Sequence, residues 1–531
     1  MPTSSIRPLT VAALIAVSVL LRAEAFAQGA NDTRIADAAR RGDRDAVRSL
    51  LDRTADVNSA QGDGTTALHW AAMNDDVEIV QMLLKGGADV KAATRVGGIT
   101  PLLMACTNGN AAIIDALLRA GADASSAKSN GTTALMLAAA AGRADAVTLL
   151  LDRGADVNAK EAQNGQTALM FAAADNRPAA IAALAGRGAH LNAISKVISL
   201  VGKPRYDDDG NLVKDPPPGQ ARPGRGPLSS MGGMTALLYA ARGGLKEAVR
   251  ALIEAGADPN TSSASDKTSP LLIAISNGHF DVAAVLLDRG ANPNLADESG
   301  LAALYATVDA EWAPLGWAPN PITGQEQTTH LALMKKLIEK GADPNARLLK
   351  KIWFRSVTHD QHWVTTAGAT PFWRAAQSTD VPAMRLLIAG GADPHIPTIE
   401  MTTPLVAAAG VGWGANFHRN LPDAWLDAVT YCLELGIDVN ARDVNGFTAL
   451  HGAAYRGDNE MVTLLVEKGA RLDIRSKFGL PTDMANGPKV NAHLPIDQPE
   501  TLALLLKLGA PPPVMPKAGA PKAAPAGANR R

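Results

Sequence analysis

The sequence predicts an all-α solenoid of about twelve helix-pair units, and three observations carry that reading. The word TALHWAAMND, Thr66 to Asp75, recurs in outline as TPLLMACTNG, TALMLAAAAG, TALMFAAADN, TALLYAARGG, SPLLIAISNG, TPFWRAAQST, TPLVAAAGVG and TALHGAAYRG. Its copies keep a period: Thr66 to Thr100 is 34 residues, Thr100 to Thr133 33, Thr133 to Thr167 34, Thr235 to Ser269 34 and Thr370 to Thr403 33. Each copy leads to a glycine stop, as in LLKGGAD, LLRAGAD, LLDRGAD, LIEAGAD and LIEKGAD. A fixed period of this length marks stacked repeats, because one unit cannot bury its apolar face alone and each copy supplies a wall for the next.

Taken in order, the chain opens with MPTSSIRPLTVAALIAVSVLLRAEAFAQGA. Arg7, the apolar run from Leu9 to Leu21, and small residues at Ala25 and Ala27 predict an export signal over residues 1–27. A membrane anchor needs roughly 18 or more apolar residues, and Arg22 interrupts this run too early. No cysteine follows to carry a lipid, so no stable membrane anchor is expected after cleavage, and the localisation implied is periplasmic or secreted.

Within a unit, Thr caps the first helix and Pro is tolerated at its first position, where the missing N–H costs nothing. Small pairs such as Ala71-Ala72 let the next helix approach. A second helix follows, with Val77, Ile79, Val80, Leu83 and Leu84 at helical spacing. Glycine ends it in a left-handed cap, and DVN, DPN or NPN turns lead to the next Thr.

The charge balance is 51 basic against 52 acidic residues, which gives no global field for nucleic acid or an anionic membrane. Removing residues 1–27 takes away Arg7, Arg22 and Glu24, leaving 49 against 51. Cys106 and Cys432 each fall on the apolar side of a predicted helix, many repeats apart, and read as small core residues rather than a disulfide.

These residues resemble the ankyrin repeat, whose T-P-L-H-x-A motif and GAD-type turn recur from about Asp32 to Ala510, and with the leader they resemble exported bacterial ankyrin-repeat proteins. The resemblance implies antiparallel helix pairs with projecting hairpin loops, imperfect terminal units at Ile35 to Asn58 and Leu480 to Ala510 acting as caps, and binding through hairpin tips and the inner face of the first helix. It also implies that His69 and His451, which occupy the motif's histidine, bond between repeats rather than catalyse.

Three insertions break the phase. Residues 28–193 and 234–307 read as repeats, with a loop insertion at 194–233 between them. That loop is rich in Pro and Gly, with one short hairpin expected at Asp209-Gly210; its triplet Asp207, Asp208, Asp209 lacks the spacing of a calcium loop. Residues 308–369 read as an inserted helix pair with Trp-rich loops, and 370–510 as repeats with an insertion at 410–425. Residues 511–531 read as a disordered Pro/Ala-rich tail. Seven of the eight tryptophans lie between Trp312 and Trp425. Either they pin the inserts onto the solenoid, or they form a recognition surface.

No phosphate loop, nucleophile elbow, H-E-x-x-H or haem-attachment motif occurs. The function expected is a non-enzymatic scaffold for a protein partner, needing no cofactor. The non-framework positions offered for that contact are Asp63, Thr65, Met73 and Asn74; Asn130; Gln163, Asn164, Gln166 and Asp175; Arg242; and Arg442, Phe447, Tyr455 and Arg456. Trp353, Trp363, Trp373 and Trp413 join them from the insert region. The competing reading is a small-ligand, metal or enzymatic site at the inserts, around His359, Asp360 and His362. H-x-x-H needs a helical turn to bring both imidazoles to one side, whereas the flanking IWFRSV and HWVTT read as a hairpin, where residues three apart face opposite ways.

Overall fold

In the computed structural model the described residues are 32–53, 55–199, 205–206, 212–213, 230–313, 321–350, 352, 364–411, 424–487 and 497–514. The expected export signal, the Asp209-Gly210 turn, the H-x-x-H pair, Trp353, Trp363, Trp413 and most of the C-terminal tail lie outside them. The described residues hold 24 α-helices. They form twelve antiparallel pairs in the order the period predicts, five before and seven after a division between Leu191 and Asn192.

The first unit contains α1 (Arg34–Arg41), α2 (Arg44–Asp52), α3 (Ala67–Met73), α4 (Val77–Lys85), α5 (Pro101–Asn108), α6 (Ala111–Arg119), α7 (Ala134–Ala141), α8 (Ala144–Asp152), α9 (Ala168–Ala174) and α10 (Pro178–Ala185). First helices pack on first helices and second on second, α3 on α5 and α4 on α6. The caps are those the sequence asks for. The Thr100 hydroxyl accepts the Leu103 N–H, Asp76 and Asn110 cap the second helices, and Gly109 takes φ 73° at a helix end. Leu68, Ala71, Ala72, Ile79, Val80 and Leu83 are fully buried, so the Ala pairs and the 3.6-residue stripe meet between layers. Cys106 is buried and free, and its burial pushes the thiol's pKa up.

The second unit begins with a short arm. Strands β1 (Val197–Ser199) and β4 (Ser230–Gly232) pair antiparallel, with Ile198 opposite Met231, and β2 (Arg205–Tyr206) pairs antiparallel with β3 (Leu212–Val213). The helices follow as α11 (Ala236–Arg242), α12 (Lys246–Glu254), α13 (Pro270–Ser276), α14 (Phe280–Asp288), α15 (Ala303–Glu311), α16 (His330–Glu339), α17 (Pro371–Gln377), α18 (Val381–Ala389), α19 (Pro404–Ala408), α20 (Trp425–Glu434), α21 (Ala449–Arg456), α22 (Asn459–Glu467), α23 (Pro481–Ala485) and α24 (Pro499–Lys507).

The inserted helix pair expected over 308–369 is corrected. Helices α15 and α16 are the two halves of one repeat, separated by an insertion after Trp312, and they pack on each other. The segment around 410–425 likewise separates the two helices of its own unit, α19 and α20.

Neighbouring repeats are stapled by asparagine. The Asn345 amide donates to the Gly391 carbonyl at 3.1 Å while its oxygen accepts the Asp393 N–H at 2.7 Å. Asn58, Asn158, Asn260, Asn294 and Asn440 make the same double bond to the following turn. Each closes two backbone groups that the turn leaves open.

Candidate partner-binding face

In the first unit each first helix buries the residue two before its outward position. Leu68 faces the core, and Trp70, rotated about 200° from it at 3.6 residues per turn, emerges on the inner face. The same position in the next three repeats holds Met104, Leu137 and Phe171. All four are half-buried, forming one apolar row over α3, α5, α7 and α9. Met73, 52% exposed, extends the row beside Trp70.

Trp70 is held in place. Its indole N–H donates to Gln61 Oε1 at 2.9 Å, Gln61 Nε2 donates to Asp37 at 2.8 Å, and the Arg40 guanidinium lies 5.9 Å from the ring centroid. Asn74 and Asn108 edge the row. Asn74 donates to the Ala39 and Arg40 carbonyls and Asn108 to the Met73 carbonyl, so each amide clamps one first helix to the one before it.

The hairpin residues are bonded into their own turns, with Asp63, Asn130, Gln163 and Asn164 exposed and Gln166 half-buried. Asp63 accepts the Thr65 N–H at 2.9 Å, and that hydrogen bond holds its carboxyl below the usual pKa. Asn130 accepts the Thr132 N–H at 3.1 Å. Gln163, Asn164 and Gln166 donate their N–H groups to the buried Glu161 carboxylate. Asp175 is exposed at the end of α9; in the second unit Arg242 is exposed 5.3 Å from the Tyr239 ring, and Arg442 is exposed.

Four other expected contact residues are corrected, because burial leaves them no surface to offer. Thr65, Trp373, Phe447 and Tyr455 are all buried. Arg456 is largely buried as well. Its guanidinium lies 3.2 Å from the Trp425 ring centroid, and burial, partly offset by Asp458, lowers its pKa to about 10.

Trp373 has a specific structural role. At the same position of the motif, His69 Nδ1 accepts the Thr66 N–H at 3.2 Å and Nε2 reaches the Ile99 carbonyl of the next repeat at 2.9 Å. His451 does the same with Thr448 at 3.1 Å and Gly479 at 3.2 Å. Both rings are therefore neutral, with the proton on Nε2. Burial lowers the pKa of His69, and that of His451 to about 4. Trp373 supplies the same donor from its indole, to the Thr402 carbonyl at 3.0 Å. A helix-entry residue that reaches the next repeat, recurring at the period of the chain, decides the family. The family model described as "Ankyrin repeats (3 copies)" matches residues 14–94, 35–128, 102–195, 219–297 and 372–476, more than half of the chain.

The chain is an ankyrin-repeat protein. Its matches to curated relatives are short. It is 47% identical over 53 residues to the Ankyrin repeat and LEM domain-containing protein 1 homolog of Caenorhabditis elegans, covering 10% of this chain and 8% of that one. It is 45% identical over 62 residues to Palmitoyltransferase akr1 of Schizosaccharomyces pombe, covering 12% and 9%. A longer match, 26% identical over 231 residues, joins it to Alpha-latrocrustotoxin-Lt1a of Latrodectus tredecimguttatus, covering 43% and 14%. The chain thus spans less than a fifth of the length of each of these three. Ankyrin repeats generally mediate protein–protein interaction and are generally non-enzymatic; the stretch shared with the palmitoyltransferase is a small part of that enzyme.

In the second unit of this ankyrin-repeat protein the position of Trp70 stays half-buried at Tyr239 and Ile273 and then closes: Ala306, Arg374, Ala407 and Gly452 occupy it in the next four repeats, and all are buried. At Gly452 a Cβ would stand 2.6 Å from the Ala409 carbonyl oxygen and 2.8 Å from the Val411 nitrogen, so the close approach of that backbone requires glycine. Arg374 donates to Asp309 at 3.1 Å, to the Trp312 carbonyl at 3.1 Å, and to the Ser378 hydroxyl. Asp380 accepts the Trp312 indole N–H at 2.8 Å and pairs with His330 Nε2 at 2.9 Å. Burial raises the pKa of the Asp380 carboxyl, but the bonds from His330, Trp312 and the Ala383 N–H outweigh it and leave a lowered value. This buried network was not foreseen. Trp312, Trp373 and Trp425 are all engaged in pinning or stitching the repeats. Among the described residues no group of three His, Cys, Asp or Glu is placed to hold a metal ion, and no helix is long and apolar enough to cross a membrane.

Proposed function

We propose that the chain is a non-enzymatic adaptor, exported to the cell envelope or beyond, that binds one protein partner through the inner face of its first unit. The observation that carries this reading is the row Trp70, Met104, Leu137 and Phe171, four large apolar side chains left half-exposed on consecutive repeats. A fold that needed them only as core would bury them, and an aromatic or aliphatic anchor that a partner desolvates contributes most to binding. The exposed hairpin residues Asp63, Asn130, Gln163 and Asn164 supply the polar rim.

The test is an affinity capture from envelope extract with the chain from Gln28 onward as bait, quantified by mass spectrometry beside a Leu137→Glu bait. One dominant protein, depleted at least about tenfold from the variant, supports the reading; a capture indifferent to the substitution overturns it. Export is tested separately by the mass of the protein recovered from cell fractions. A product beginning at Gln28 supports it, and an uncleaved cytoplasmic chain contradicts it.

A further inference from the structure

Successive hairpin tips in the second unit are joined by backbone hydrogen bonds. Glu298 N–H donates to the Asp266 carbonyl at 2.9 Å, Leu349 to Ser299 at 2.8 Å, Ile399 to Ala367 at 2.9 Å, Val444 to Glu400 at 2.9 Å and Lys477 to Asn445 at 2.8 Å. The donor's backbone is thereby fixed, while its side chain is free of the ladder. At this position the first unit carries Arg95, Ser129 and Ala162, so the fold itself does not call for an apolar residue there. Yet three consecutive repeats of the second unit place aliphatic side chains at it, Leu349 74%, Ile399 63% and Val444 65% exposed. Met401, exposed in the same hairpin as Ile399, widens the stripe at its middle.

The stripe is bounded by opposite charges, exposed Glu298 at one end and exposed Lys477 at the other. Read along the ladder the order is acidic, three apolar, basic; read backwards it is basic, three apolar, acidic. A surface with that order is complementary to itself under a two-fold rotation, which turns one copy end over end against the other. With Ile399 on the axis, Leu349 of each copy meets Val444 of the other and Glu298 meets Lys477. The Lys477 ammonium lies 5.2 Å from the Phe478 ring centroid, which holds it near the end of the stripe. Glu400, beside the axis, is half-buried and accepts the Thr365 N–H of the preceding hairpin, so its carboxylate is turned along the ladder.

We propose that this tip stripe docks on a second copy of the chain to form an antiparallel two-fold dimer centred on Ile399. Its apolar core is small beside interfaces of about 1,200–2,000 Å², so the dimer is a concentration-dependent one.

Sedimentation velocity of the full chain over a concentration series tests it. A monomer–dimer equilibrium is expected. Ile399→Lys, at an exposed side chain, sets two ammonium groups on the axis and abolishes the dimer while leaving the circular dichroism unchanged. Glu298→Lys alone and Lys477→Glu alone each place like charges at both ends and weaken association about tenfold. The double variant Glu298→Lys/Lys477→Glu restores it, and a mixture of the two single variants pairs preferentially across the mixture. A chain that stays monomeric up to about 100 µM, or a dimer indifferent to Ile399→Lys and to the charge swaps, overturns the proposal.

Discussion

The indole nitrogen of Trp373 donates to the carbonyl oxygen of Thr402 at 3.0 Å, joining two successive repeats through the bond that histidine makes elsewhere in the chain. A bulky residue in a variable position is thus a stitch between repeats.

Trp373→Ala removes a fully buried indole and leaves the Thr402 carbonyl without that donor, so it is expected to cost about 3–5 kcal/mol. Trp373→His, which returns the motif's own donor, is expected to cost less. Urea unfolding followed by circular dichroism compares the two, and equal losses would show that the donor at this position is immaterial.

His451 links stability to pH. Its folded pKa, about 4, lies below the ordinary imidazole value of 6.5, because burial and the Thr448 N–H aimed at Nδ1 oppose protonation. A depressed value in a base means the unfolded state takes up the proton first. Its contribution is therefore present above about pH 6.5 and is lost as pH falls toward 4, roughly 3 kcal/mol in all. The pH dependence of the urea midpoint should flatten over that window in His451→Gln, and an unchanged slope would contradict the assignment.

The asparagine staple makes a local prediction. Asn345→Ala opens both its bond to Gly391 and the one it accepts from Asp393, at a net cost of about 1–2 kcal/mol. Hydrogen exchange at the Asp393 amide should quicken, while the Asp123 amide, whose preceding repeat has Lys91 in the staple position, should be unaffected by the substitution.

The repeat architecture was legible because its determinants are local: Thr caps, Ala pairs, glycine stops and a period that counts residues directly. The unit built from α15 and α16 was misread because Ala302 replaces the capping Thr and the insertion after Trp312 separates its helices, so the second half looked like a separate element. Variation from repeat to repeat was read as surface at Phe447, Tyr455 and Trp373, where it is a change of packing or donor in a buried position. The inner row was missed for the converse reason. Trp70, Met104, Leu137 and Phe171 look like core residues in a helical pattern, and only the packing of adjacent first helices shows which apolar positions remain open. The Arg374 to Asp309 pair spans 65 residues and joins groups that no local pattern brings together.

The central claim is that partner binding resides on the apolar row of the first unit rather than on its charged rim. The most direct measurement is the dissociation constant of the captured partner, by titration calorimetry, for the wild type, Met104→Glu and Asp63→Ala, with the melting temperature of each recorded. Met104→Glu should weaken binding at least about tenfold, and Asp63→Ala less than about threefold, because a desolvated anchor outweighs an exposed rim charge. Equal losses, or a loss confined to Asp63→Ala, with all three proteins equally stable, would contradict the account.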